Sequence, residues 1–150
     1  MKSARFVNIS AALFVFLFAY TGLNKLLLYD VFYMDLGKSP LIGRTFAAPV
    51  AIIIPTLEVA IAIALLIPRF RLKGFYAAFG LMSLFTLYVA YMLFFRVHRP
   101  CTCGGIIREM SWPVHLIFNF VFTILAYISI RFIRRNSSQN PGKFSTVAYS

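Results

Sequence analysis

The sequence predicts an all-α membrane protein, a bundle of four transmembrane helices with a short interfacial helix in the first outer loop. Three observations predict it. Four separate runs each reach the roughly 20 mostly apolar residues that a helix needs to cross a bilayer. The chain is 61% hydrophobic over 150 residues, with a mean hydropathy of +0.82, too apolar for a soluble domain of that length. The basic residues, which bring the net charge to +11, fall between the apolar runs and in the tail. Charge so placed orients helices against a membrane. Nucleic acid binding needs a basic face on a folded surface, and no such stripe is present, so no nucleic acid is expected as a partner. Membrane lipid is.

The first span covers about residues 6–28. Lys2 and Arg5 followed by an apolar run resemble a signal peptide. The run continues past Tyr20 to Leu28, however, and no A-x-A site with a polar mature start follows, so it reads as a retained helix. The second span covers about 48–67, bracketed by Pro49 and Pro68, and the third about 72–95. The fourth covers about 112–133, with Ser111 suited to the N-cap and Pro113 to the first turn. Between the first two spans, "YDVFYMDLGKSPLIGRTFA" (29–47) is too short and too charged to cross. Its Val31, Phe32, Met34, Leu36 and Leu41 suit an interfacial helix lying over the bundle, the alternative being an ordinary connecting loop. Residues 1–135 thus read as one membrane domain. The polar "NSSQNPGKFSTVAYS" (136–150) reads as a disordered cytoplasmic tail.

Lys and Arg set the orientation. The N-terminus, the 68–73 turn and the tail carry nine: Lys2, Arg5, Arg69, Arg71, Lys73, Arg131, Arg134, Arg135 and Lys143. The opposite side carries six: Lys25, Lys38, Arg44, Arg96, Arg99 and Arg108. The excess places both termini in the cytoplasm and the 29–47 and 96–111 loops outside a cytoplasmic (inner) membrane. The second loop holds both cysteines of the chain, in "RPCTCGG", on the side where disulfides persist.

Cys101 and Cys103 are the first candidates for chemistry. A Cys-x-Cys disulfide closes a very small ring, and strained, exposed disulfides are the more readily reduced ones. So small a loop removes little unfolded-state entropy, which makes the bond a poor staple. Gly104 and Gly105 let the backbone bend and another molecule approach. Arg96 and Arg99 favour a thiolate. Two other readings stay open. The thiols are a static clip, or His98, Cys101, Cys103 and His115 supply four N/S metal ligands. The spacing fits no metal motif, and no metal is expected.

Trp112, His115 and Asn119 fall at i, i+3 and i+7, one stripe at about 100° per residue. The stripe starts at the cysteine loop and runs into the membrane. Thiol oxidation releases two protons, and a histidine can carry them. The plainer reading makes Trp112 a belt residue and His115 a wetted helix end.

Glu58 stands mid-span in "IIIPTLEVAIAIALL". A carboxylate there is costly and must face the interior and pair. Lys25 and Asn24, which share a face with Thr21 in "YTGLNKLLLYD", are its expected partners. The pair is catalytic or a structural tie. Pro55 frees a backbone carbonyl nearby. Tyr88, Tyr91, Phe94 and Phe95 near the outer end of the third span line a quinone pocket or simply fill core and interface.

"TGLNKLL", then "PTLE" in the second of four spans, resembles the MauE/DoxX membrane proteins. "CTCGG" followed by W-x-x-H-x-x-x-N resembles the MauE-type, redox-associated branch. The resemblance covers about residues 5–133. It implies a four-helix membrane bundle, a link to disulfide formation or maturation of exported proteins beside a thioredoxin-fold partner and, on the DoxX side, quinone-linked sulfur oxidation. Carried over, Cys101 and Cys103 become the redox pair, Trp112, His115 and Asn119 the supporting groups, and Glu58 with Lys25 the intramembrane polar pair. No thioredoxin domain is fused to the chain, so that partner is expected to be a separate protein. The expected function is thiol/disulfide exchange between an exported thiol protein and a membrane quinone. The alternative is a non-catalytic accessory or maturation subunit of a larger membrane or export complex.

Overall fold

The computed structural model describes residues 2–39, 41–95 and 112–139. Within them every regular element is helical: α1 (Lys2–Leu27), α2 (Tyr29–Gly37), α3 (Gly43–Leu66), α4 (Arg71–Phe94) and α5 (Trp112–Gln139), with a 3-10 turn at Pro68–Phe70. The stretches Ala4–Leu27, Gly43–Leu66, Pro68–Phe94 and Pro113–Asn136 are long and apolar enough to cross a membrane. The four-span expectation holds, with differences at the boundaries, among them a third span that begins at Pro68 rather than near 72. The second span begins at Gly43, and Pro49 lies inside it rather than at its edge. Prolines are tolerated in a membrane helix because neighbouring groups re-satisfy the freed backbone. The last helix runs to Gln139, past the expected end near Ile133 and into the first residues of the expected tail. Apolarity marks the hydrocarbon edge. It does not mark the last hydrogen bond of a helix that continues through Arg134 and Arg135.

The segment after α1 forms the expected short helix over part of its length. Phe32 and Leu36, one turn apart on α2, are buried against Ala47 and Ala51 of α3. Val31, Tyr33 and Met34 stay exposed. Beyond α2, Tyr88 of α4 donates a hydrogen bond to the Ser39 hydroxyl at 3.1 Å. The folded-back segment is thereby tied to two spans.

The interior has two unlike halves. Near the termini it is packed with rings and small residues. Phe14 is fully buried and stands edge-on to Phe75 of α4 and Phe122 of α5, at 5.9 and 5.2 Å between centroids. Ala62, Ala78 and Ala126 bring the backbones of α3, α4 and α5 close around it. The α3–α4 turn is equally tight, since a Cβ on Gly74 would come within 3.0 Å of the Leu65 side chain. Arg71 stitches this end together. Its Nε donates to the Leu65 carbonyl at 3.2 Å and its Nη1 to Asn8 Oδ1 on α1 at 2.7 Å. The outward faces are apolar as well: Phe16, Phe46, Leu57, Leu87 and Ile117 are all exposed. In a bilayer that is the expected surface, because lipid is the solvent. The buried side of the bundle is the more polar one.

Candidate functional site: a buried polar cluster below the cysteine loop

The other half of the interior, toward α2 and the ends of α4 and α5 that the cysteine loop joins, holds the buried Lys, Glu, His and Asn side chains. Thr21 and Lys25 lie one turn apart on α1, Glu58 comes from α3, and His115 and Asn119 lie one turn apart on α5. All five are buried. Gly22 sets the approach of α1 to α3. A Cβ there would meet Val59 Cγ2 at 3.0 Å, and Glu58 Cβ and the Pro55 carbonyl oxygen at 3.1 Å. Glycine is therefore the residue that lets the two helices touch where the charges must meet.

Lys25 Nζ lies 2.5 Å from Glu58 Oε1, with side-chain exposures of 5% and 1%. Of the two expected partners, Lys25 is the one engaged, while Asn24 is half-buried. An ammonium neutralises a carboxylate where an amide only hydrogen-bonds it, and at this depth the charge must be neutralised. The ammonium also faces the rings of Phe85, 5.0 Å from the centroid, and Phe32, 5.5 Å away. Thr21 turns its hydroxyl back to the Leu17 carbonyl at 2.9 Å.

Behind the pair is a small cavity of about 30 Å³, walled by Thr21, Lys25, Glu58, His115 and Asn119 together with apolar side chains including Met82, Phe85 and Phe118. Two buried polar atoms among its lining residues have no hydrogen-bond partner among the described residues: Glu58 Oε2 and Asn119 Nδ2. His115 is near enough to Lys25 for their charges to interact. The expected stripe on the last span therefore brings His115 and Asn119 into the interior, onto the ion pair. Trp112 begins that helix. Arg99, Cys101, Cys103, Gly104 and Gly105 lie outside the described residues, as does His98. Among the described residues no three His, Cys, Asp or Glu gather as metal ligands would.

The four aromatic residues near the end of α4 have different surroundings. Tyr88 is bonded to Ser39, Tyr91 packs on Phe95 at 4.6 Å, and Phe94 and Phe95 point outward, both well exposed. The second wall of the real cluster, Gly22, Phe32 and Phe85, escaped the sequence reading. Gly22 carried a usable signal, a small residue inside a membrane helix one turn before a lysine. The two phenylalanines carried none, because the chain has 17 of them.

Chemically, such a cluster can hold a charge pair inside a membrane and can pass a proton through groups drawn from three helices. The family model of methylamine utilisation protein MauE matches residues 3–132, a stretch that takes in every span and the cysteine loop. The chain belongs to the MauE family. No curated protein and no solved structure matches it. The MauE match sits on a multi-pass membrane bundle, and burial of Lys25 alters its charge balance. Taking Lys25 away from the six basic residues counted on the loop side leaves five against nine.

Proposed function

We propose that the protein is a membrane thiol/disulfide oxidoreductase whose working pair is Cys101 and Cys103. It sits in the cytoplasmic membrane with both termini inside and the cysteine loop on the outer, oxidising side. The nine-to-five excess of basic residues supports that orientation. The observation that carries the reading is where the loop attaches. A Cys-Thr-Cys-Gly-Gly sequence joins α4 to α5 at the end of a MauE-family bundle where His115 and Asn119 are buried beside an ion pair.

A thiolate of a thioredoxin-fold or other exported thiol protein attacks one sulfur of the Cys101–Cys103 disulfide, and the second sulfur leaves as a thiolate favoured by Arg99. Gly104 and Gly105 leave the backbone open to that approach. The partner's second thiol resolves the mixed disulfide. The partner loses two electrons and two protons, and Cys101 and Cys103 gain them as two thiols. Restoring the disulfide returns two electrons and two protons to an acceptor, and a membrane quinone is the class that takes both. The central cavity, at about 30 Å³, suits a water and not a quinone ring. On this reading the acceptor approaches from the lipid, and the exposure of Phe94 and Phe95 at the end of α4 is consistent with that approach. In this reading His115, near the start of the helix that follows the cysteine loop in sequence, carries protons away from the sulfurs.

Cys103→Ser tests this. With no Cys101–Cys103 disulfide left for the partner's thiolate to attack, it should lose thiol oxidation and keep the assembled bundle. A variant that loses neither activity nor assembly contradicts the assignment. A second reading has its own observation: the chain holds only two cysteines, so no second pair relays electrons. In that reading the bundle is a non-catalytic accessory or maturation subunit of a larger membrane or export complex. The same variant then weakens assembly and has no redox step to lose.

A further inference from the structure

The two atoms without a hydrogen-bond partner among the described residues belong to residues that line the central cavity, and they are chemically complementary. Asn119 Nδ2 is a donor and Glu58 Oε2 an acceptor. One water can accept from the first and donate to the second, and a cavity of about 30 Å³ is the size of one water. We propose that this cavity is a hydrated proton-exchange site, in which a single water links Asn119 to Glu58 and Glu58 takes up and releases a proton through it.

Three features favour an exchanging carboxyl over a fixed tie. First, Glu58 gives only Oε1 to Lys25, and among the described residues Oε2 has no hydrogen-bond partner although the residue is 1% exposed, the neighbouring Thr21 hydroxyl donating to the Leu17 carbonyl. Second, Lys25 does not depend on the carboxylate alone. Phe85 and Phe32 face its ammonium at 5.0 and 5.5 Å, and that attraction persists when Glu58 is neutral. Third, the site has a way in. His115 lines the same cavity from α5, the helix that begins at the outer loop. The titratable groups facing Glu58 are Lys25 from α1 and His115 from α5. From α4 it meets Met82 and Phe85, and α2 contributes Phe32.

In the step itself, a proton reaching the water forms an O–H bond at Oε2. Oε1 keeps its hydrogen bond from Lys25, and Lys25 keeps its charge. Release is the reverse, and no electron moves. The inference goes beyond the thiol chemistry and stands without it, since it concerns a carboxyl in the described part of the bundle.

Infrared spectroscopy of the full chain in lipid nanodiscs tests it. The sequence has only four acidic side chains, Asp30, Asp35, Glu58 and Glu109, so a protonated-carboxyl band is assignable. The expected result is a band that appears as pH falls, vanishes in Glu58→Gln and exchanges in heavy water despite full burial. Asn119→Leu, which removes the amide and fills the cavity, should slow that exchange about tenfold, the equivalent of one lost hydrogen-bonded link. If Glu58→Gln does not fold, glutamate labelling combined with Glu109→Gln identifies the band instead. Absence of a protonated Glu58 wherever the helices persist overturns the proposal. So does an exchange rate that Asn119→Leu leaves unchanged. The readout is a carboxyl and not a thiol, so it succeeds or fails independently of the cysteine reading.

Discussion

The half of the bundle near the termini and the half near the cysteine loop are built from the same four spans and held together by opposite means. The first is dry. Phe14 meets Phe75 and Phe122, alanines fill the gaps, Arg71 and Asn8 stay at the rim, and the buried polar groups include two small serines, Ser10 and Ser129, the latter bonded back to the Leu125 carbonyl of its own helix. The second is organised around a buried charge. Lys25, Glu58, His115 and Asn119 line a cavity, and Glu58 Oε2 and Asn119 Nδ2 have no hydrogen-bond partner among the described residues. Lipid tails are as apolar as a packed core, so membrane helices gain little from hiding apolar surface from one another. The dry half needs close packing alone. The polar half carries an electrostatic cost that packing does not require. That contrast sets a half held by packing against a half organised around a buried charge pair.

The comparison can be broken at four places. Lys25→Met should have the largest effect, a loss of about 3–5 kcal/mol, because it strands the Glu58 carboxylate. Reversible unfolding in mixed micelles reads it, and Lys25→Met with Glu58→Leu should recover most of the loss. A negligible single-variant cost would mean the pair does not organise its half. Phe14→Ala should cost roughly 3 kcal/mol by cavity formation and leave the redox state of the cysteines unchanged. A change in thiol state there would show that the halves are coupled. Gly22→Val should cost about 1–3 kcal/mol by overpacking, since its Cβ position already lies 3.0 Å from Val59 and 3.1 Å from Glu58. Unlike Phe14→Ala, it should also loosen the ion pair, seen as faster amide exchange around Glu58. Thr86→Val should be the smallest, about 0.6 kcal/mol, removing a hydroxyl contact to Thr123 of 3.3 Å between α4 and α5.

The readable parts of this molecule are those where physics leaves one choice. A bilayer fixes how long an apolar run must be, so all four spans were visible. A carboxylate in mid-membrane must be buried and paired, so Glu58 declared itself and narrowed its partner to Lys25 or Asn24. Charge then decides for Lys25, a step already available before any coordinates. The stripe on α5 was readable because i, i+3 and i+7 fix a face. Helix ends were less so. Gly43 and Gln139 lie beyond the apolar limits, and hydropathy reports the hydrocarbon rather than the helix. Phe32 and Phe85 were hidden by composition, since a lysine-facing ring looks like any lipid-facing ring in such a chain. The small helix α2 is the instructive case. Its apolar residues suggested an interfacial face, yet two of them, Phe32 and Leu36, are buried on α3, and Phe32 closes over Lys25.

The central claim is that the loop above the polar half is a working redox pair. A thiol-trapping titration of Cys101 and Cys103 in purified membranes, against graded glutathione ratios, tests it most directly. The account predicts a reversible disulfide with a midpoint near or above about −200 mV, where dedicated oxidants lie. A pair that stays reduced throughout, or a bond that resists reduction below about −300 mV as structural disulfides do, would contradict it.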